Sequence, residues 1–62
     1  MPEPVFDVYK DARGEWRWRL KAVNGQVIAT GGESYKEKRS CEDGIASVIK
    51  NAAIAKIVEE KQ

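Results

Sequence analysis

Residues 15–22 read EWRWRLKA, with Trp16, Trp18 and Leu20 at every second position and Arg17, Arg19 and Lys21 between them. Successive side chains of a strand point to opposite faces, so this stretch has one strongly apolar face and one strongly basic face. Its neighbours fit a sheet. Val5–Lys10 (VFDVYK) is β-branched and aromatic and reads as a preceding strand. Asp11–Gly14 (DARG) is a turn in which Gly14 supplies the left-handed residue of a G1 bulge. Asn24-Gly25 marks a second hairpin, and Gln26–Thr30 (QVIAT) is a third strand stopped by Gly31-Gly32. The expectation is an antiparallel meander with strands at about 5–10, 15–23 and 26–31.

The turns fix registers that a structure can test. A two-residue Asn24-Gly25 loop sets Val23 opposite Gln26, Ala22 opposite Val27, Lys21 opposite Ile28, Leu20 opposite Ala29 and Trp18 opposite Gly31. A glycine facing an indole leaves room for the ring. In the first hairpin, a three-residue Ala12-Arg13-Gly14 loop pairs Phe6 with Leu20 and Val8 with Trp18 on the apolar face. A four-residue loop would bury Asp7 beside Trp18 without a partner, which is expensive.

Cys41, Ile45, Val48 and Ala52 recur at spacings of four, three and four, the stripe of a helix over about 36–52. Ser34-Tyr35-Lys36-Glu37 has the form of a capping box, and a start two or three residues later fits as well. Gly44 lies at the margin of the stripe and is expected to allow close approach to the sheet, against a tryptophan. If the helix ran on, Ile54, Ile57 and Val58 would face away from the stripe, at ~100° per residue. A break near Asn51 is therefore expected, with Asn51 in the left-handed position and a short strand at 54–59. The fold class is α+β: an extended arm at 1–4, a β-β-β-α domain at 5–52, and a C-terminal segment 53–62 that ends disordered.

Composition limits function. At 62 residues the chain buries only about 60% of its unfolded surface, so its own core is marginal. One cysteine and no histidine rule out an internal disulfide and leave no recognisable metal-ligand set. A second subunit is the remaining source of burial. The formal charge of +1 points to neither a DNA packager nor a polybasic membrane binder. Neither a membrane-spanning run nor a signal-peptide pattern is present, and a reducing, cytoplasmic location is expected. Cys41 reads as a buried, inert thiol.

The segments FDVYKDARGEWRWRLKAVNGQVIATGGESY and SCEDGIASVIKNA together resemble the YegP-like family of small uncharacterised bacterial proteins, over about residues 5–52. The hairpin RWRLKA-x-NG, the tyrosine after the glycines and the helix end GI-x-SV-x-KNA carry the likeness. The resemblance implies a β-β-β-α unit that occurs singly or as a tandem repeat, and so implies that two single copies associate. Glu37 stands where the family has a potential helix-capping serine, which leaves the helix start open. No activity, substrate or cofactor comes with the family.

No catalytic, cofactor or metal site can be assembled. Asp7, Asp11, Glu15, Glu33, Glu42 and Asp43 are scattered carboxylates with no histidine to work beside. The expected function is a non-enzymatic interaction or structural module acting as a homodimer, with an unidentified protein as a further partner. Its candidate contact face is the outer side of the sheet: Tyr9, Arg17, Arg19, Lys21 and Ile28. Val5 and Val23 join that face, giving it the mixed character of an interface. The alternative is single-stranded nucleic-acid binding through the arginines and Tyr9. Asp7 opposite Arg19 and Glu15 at the strand end argue instead for local charge matching.

Overall fold

The computed structural model describes residues 3–60. Strands β1 (Val5–Lys10), β2 (Trp16–Lys21) and β3 (Val27–Thr30) form one antiparallel sheet in the order β1-β2-β3, followed by helix α1 (Lys38–Ala52). Glu3 and Pro4 of the expected arm are exposed and outside any strand; residues 1, 2, 61 and 62 of the arm and the expected disordered end lie outside the described residues.

The β1–β2 register is the expected one, with Phe6 opposite Leu20, Asp7 opposite Arg19, Val8 opposite Trp18 and Tyr9 opposite Arg17. The loop closes through Asp11 N–H to the Glu15 carbonyl at 2.8 Å and Gly14 N–H to the Asp11 carbonyl at 3.0 Å. Gly14 has φ +80°, the conformation in which a Cβ is strained.

The second hairpin corrects the expectation. Ala22 N–H donates to the Gln26 carbonyl and Gly25 N–H to the Ala22 carbonyl, so the loop has three residues, Val23-Asn24-Gly25. A two-residue type I′ turn needs positive φ at both central residues. Only Gly25 has it, at φ +86°, and no non-glycine residue does. The one-residue slip pairs Lys21 with Val27, and a bulge next to Leu20/Lys21 then restores Leu20 opposite Ala29. Gly31 N–H donates to the Trp18 carbonyl at 3.1 Å, so indole and glycine meet as expected.

α1 lies across β2 and β1 and does not reach β3. The core is Trp18, Cys41 and Ile45, with Phe6, Val8, Trp16, Leu20, Tyr35 and Val48 packed against it. Phe6 meets Trp18 edge-on, ring centroids 5.5 Å apart. Ala52, read as part of the stripe, is exposed at the helix end. The capping box does not form. Glu37 is the N-cap without a side-chain bond, and Ser34 Oγ donates to Glu15 Oε1 instead. Gly44 seats Tyr35 rather than a tryptophan: a Cβ there would lie 2.6 Å from the Tyr35 hydroxyl. Tyr35 is itself fixed by a backbone bridge to Trp16, which ties the helix entry to the sheet.

The helix does break where geometry required, after Ala52. Asn51 is not its left-handed cap. Asn51 stays helical, its amide donates to the Ser47 carbonyl at 2.8 Å, and Ala53 ends the helix at φ −65°. The expected strand at 54–59 is not formed: none of the described residues pairs with it.

Candidate functional site

The outer face of the sheet brings together most of the expected contact residues. Arg19 Nε bonds Asp7 Oδ2 at 3.1 Å, and Lys21 Nζ lies 3.5 Å from the same oxygen. The Arg19 guanidinium also stacks over the Tyr9 ring at 4.1 Å, a diagonal contact across the two strands. Arg17 Nε bonds Asp11 Oδ2 at 2.9 Å. Asp11 does more than pair: its Oδ1 accepts from Arg13 N–H and Glu15 N–H, tying the turn. Each basic residue of the candidate face therefore has a carboxylate partner on that face. Glu15, expected to match part of the charge, is engaged by Ser34 instead.

The two acids respond as expected from these contacts. The Arg19 hydrogen bond holds the Asp7 carboxyl below its ordinary value, with Lys21 adding to it. For Asp11 the Glu15 backbone N–H contributes most, followed by Arg17. On the inner side, burial pushes the Cys41 thiol up, as it does the Tyr35 hydroxyl, which Glu33 raises further.

Ile28 is placed differently from the expectation. Val27, not Ile28, stands opposite Lys21, and Ile28 sits in the bulge at 59% exposure. Val5, Val23 and Val27 are exposed near the same end of the sheet. One feature escaped the sequence reading. Lys10 and Lys38 place their ammonium groups 5.3 and 5.7 Å from the centre of the Trp16 ring. Ile54, Ile57 and Val58, which the sequence reading set apart from the helix stripe, are exposed.

Among the described residues there is no group of three or more His, Cys, Asp and Glu side chains able to hold a metal ion, no concave pocket, and no helix long and apolar enough to cross a membrane. A model for a domain of unknown function, DUF1508, matches residues 11–59. The chain belongs to this family. It is 54% identical over 54 residues to a UPF0339 protein of Treponema denticola, covering 87% of this chain and 91% of that one. A UPF0339 protein from Stutzerimonas stutzeri, from the region 5′ of a ptx operon, is 53% identical over 48 residues, covering 77% of this chain but 42% of that longer one. An NMR structure of a protein from Haloferax volcanii matches with a TM-score of 0.88 at 40% identity, over 97% of this chain and 100% of that one. The β-β-β-α unit and the YegP-like resemblance stand; the relatives carry no assigned activity.

Proposed function

We propose that the protein is a non-enzymatic interaction module of the cytoplasm that works as a homodimer. The observation that carries this reading is an imbalance of burial. Among the described residues Trp18, Cys41 and Ile45 are buried and six more apolar residues are half-buried against them, while eight large apolar residues are exposed: Val5, Val23, Val27, Ile28, Ile49, Ile54, Ile57 and Val58. Scattered apolar surface is ordinary, but a small domain with nearly as many large apolar groups exposed as packed into its core fits a half-built core. A chain of two such units would be covered to a little under half by one, which is how this chain covers two of its longer relatives, at 42% each.

The nucleic-acid reading is weaker on this face. The Nε of Arg17 and of Arg19 is already bonded to Asp11 and Asp7, so part of the charge a phosphate would meet is matched. Sedimentation across micromolar concentrations tests the leading reading: a species of twice 7.0 kDa is expected. A monomer over that whole range would overturn it. Tight, salt-dependent binding of single-stranded oligonucleotides, lost on combined Arg17→Ala and Arg19→Ala substitution, would establish the alternative.

A further inference from the structure

We propose that the corner where the end of β1 meets the start of α1 binds acidic peptide segments, through Lys10 and Lys38 held on the ring of Trp16. This rests on the interaction-module reading above and names a partner class and a surface for it.

The two basic regions of the molecule differ in how far their charge is already matched. On the outer sheet face, Arg17, Arg19 and Lys21 each have a carboxylate within ion-pair distance. At the helix entry, no carboxylate among the described residues lies that close to Lys10, Lys36, Lys38 or Arg39, all of them exposed. Lys10 ends β1 opposite Trp16, and Lys38 opens α1. They are far apart in sequence, and the fold brings both ammonium groups to one indole, at 5.3 and 5.7 Å from its centre. The backbone bridge between Trp16 and Tyr35 fixes the helix entry beside that ring. Like charges gathered at one ring repel each other, and the ring's negative face offsets only part of that. An anion set between them relieves the repulsion and gains from both charges. Glu15, the acid next to Trp16 in the chain, is engaged by Ser34 and does not fill this role.

A peptide carboxylate suits the corner better than a nucleic acid does. Trp16 is half-buried and its ring already carries two ammonium groups, so a base has no open face to stack on. The cations also form only a short patch. Glu37 interrupts them, and Glu42 and Asp43 follow about one turn further along α1. A continuous phosphate chain would run onto these acids. A peptide can set a carboxylate at each lysine and neutral residues elsewhere.

The test is a titration of the full-length chain with a capped peptide of alternating glutamate and alanine, following the indole N–H signals by NMR. The Trp16 signal is expected to move while that of buried Trp18 stays. A glutamine–alanine peptide of the same length should move neither. Lys10→Gln combined with Lys38→Gln should weaken binding roughly tenfold. Lys50→Gln, in the last turn of α1, should leave it unchanged. A Trp16 signal indifferent to the glutamate peptide, an equal response to the glutamine peptide, or an equal loss in Lys50→Gln overturns the site. Tighter binding of oligodeoxythymidylate at the same ring overturns the peptide in favour of nucleic acid. Sedimentation of the same samples keeps the two readings apart: a dimer that ignores the peptide removes only this site, and a monomer that binds it removes only the homodimer.

Discussion

The two hairpins of this sheet use the same turn and yet do not build the same ladder. Asp11 to Glu15 and Ala22 to Gln26 close identical three-residue loops, each with a glycine near φ +80° in its last position. In both, a side-chain oxygen accepts from the backbone: Asp11 Oδ1 from Arg13 and Glu15 N–H in the first, Asn24 Oδ1 from Gln26 N–H in the second. The first ladder then runs six pairs without interruption, whereas the second spends a residue in a bulge. The difference lies in what the core demands. Continued without a bulge, the second register would set Ile28 opposite Leu20 and Thr30 opposite Trp18. The bulge brings Ala29 and Gly31 to those places instead, and Gly31 is where the indole needs space. Turn chemistry starts a register; packing decides where it ends.

The comparison is broken most severely at its shared anchor. Trp18→Ala removes the ring that both ladders are arranged around, and a loss of roughly 3–5 kcal/mol is expected in chemical denaturation. Gly31→Ala tests the second ladder alone, since a Cβ there would lie 2.6 Å from Trp18 Cε2. A loss of about 1–3 kcal/mol is expected, recovered in part by a smaller residue at 18. Unchanged stability would mean that the bulge is not there to accommodate the indole. Gly14→Ala and Gly25→Ala should each cost about 1–2 kcal/mol through backbone strain alone, because neither site crowds a Cβ. Near-equal losses would show that the two turns are energetically alike; a large inequality would separate them.

The smallest effect is expected on the outer face, through acid. Asp7 and Asp11 have folded-state values below their unfolded ones. Their contribution is therefore present above the ordinary carboxylate value of about 3.8 and lost as pH falls through the lower, folded-state value. Combined Asp7→Asn and Asp11→Asn substitution should flatten the acid limb of a stability–pH curve while leaving the neutral fold intact. Equal acid limbs in wild type and variant would assign no part of that limb to these pairs. Exposed pairs of this kind are weak in general, so a small change is the expected reading.

The sequence made the first hairpin legible because two independent constraints agreed. The glycine position set the loop length, and the cost of burying Asp7 set the parity. In the second hairpin, Asn-Gly suggested a two-residue turn, and the error at Lys21 was hidden because the bulge restored Leu20 to Ala29. No single-residue signal marks a bulge at Val27–Ile28; it follows from three-dimensional fit. The same limit applies to Gly44, whose partner Tyr35 is placed by a backbone bridge to Trp16 that sequence spacing does not reveal. On the candidate face, the Asp7–Arg19 match was readable from register, while Arg17–Asp11 depended on how the turn folds the carboxylate back. The C-terminal segment was correctly separated from the helix by its angular position. That it stays unpaired was not legible, because spacing suggests an extended segment without showing whether a neighbour lies beside it.

The fully enclosed thiol gives the molecule its own gauge of opening. Cys41 has no exposed surface, and burial holds it protonated. A thiol reagent in solution can therefore reach it only when helix and sheet part, and the modification rate counts those excursions. The natural chain can be read this way without an added probe. Because opening competes with association, the same rate would slow as protein concentration rises if two copies share a core.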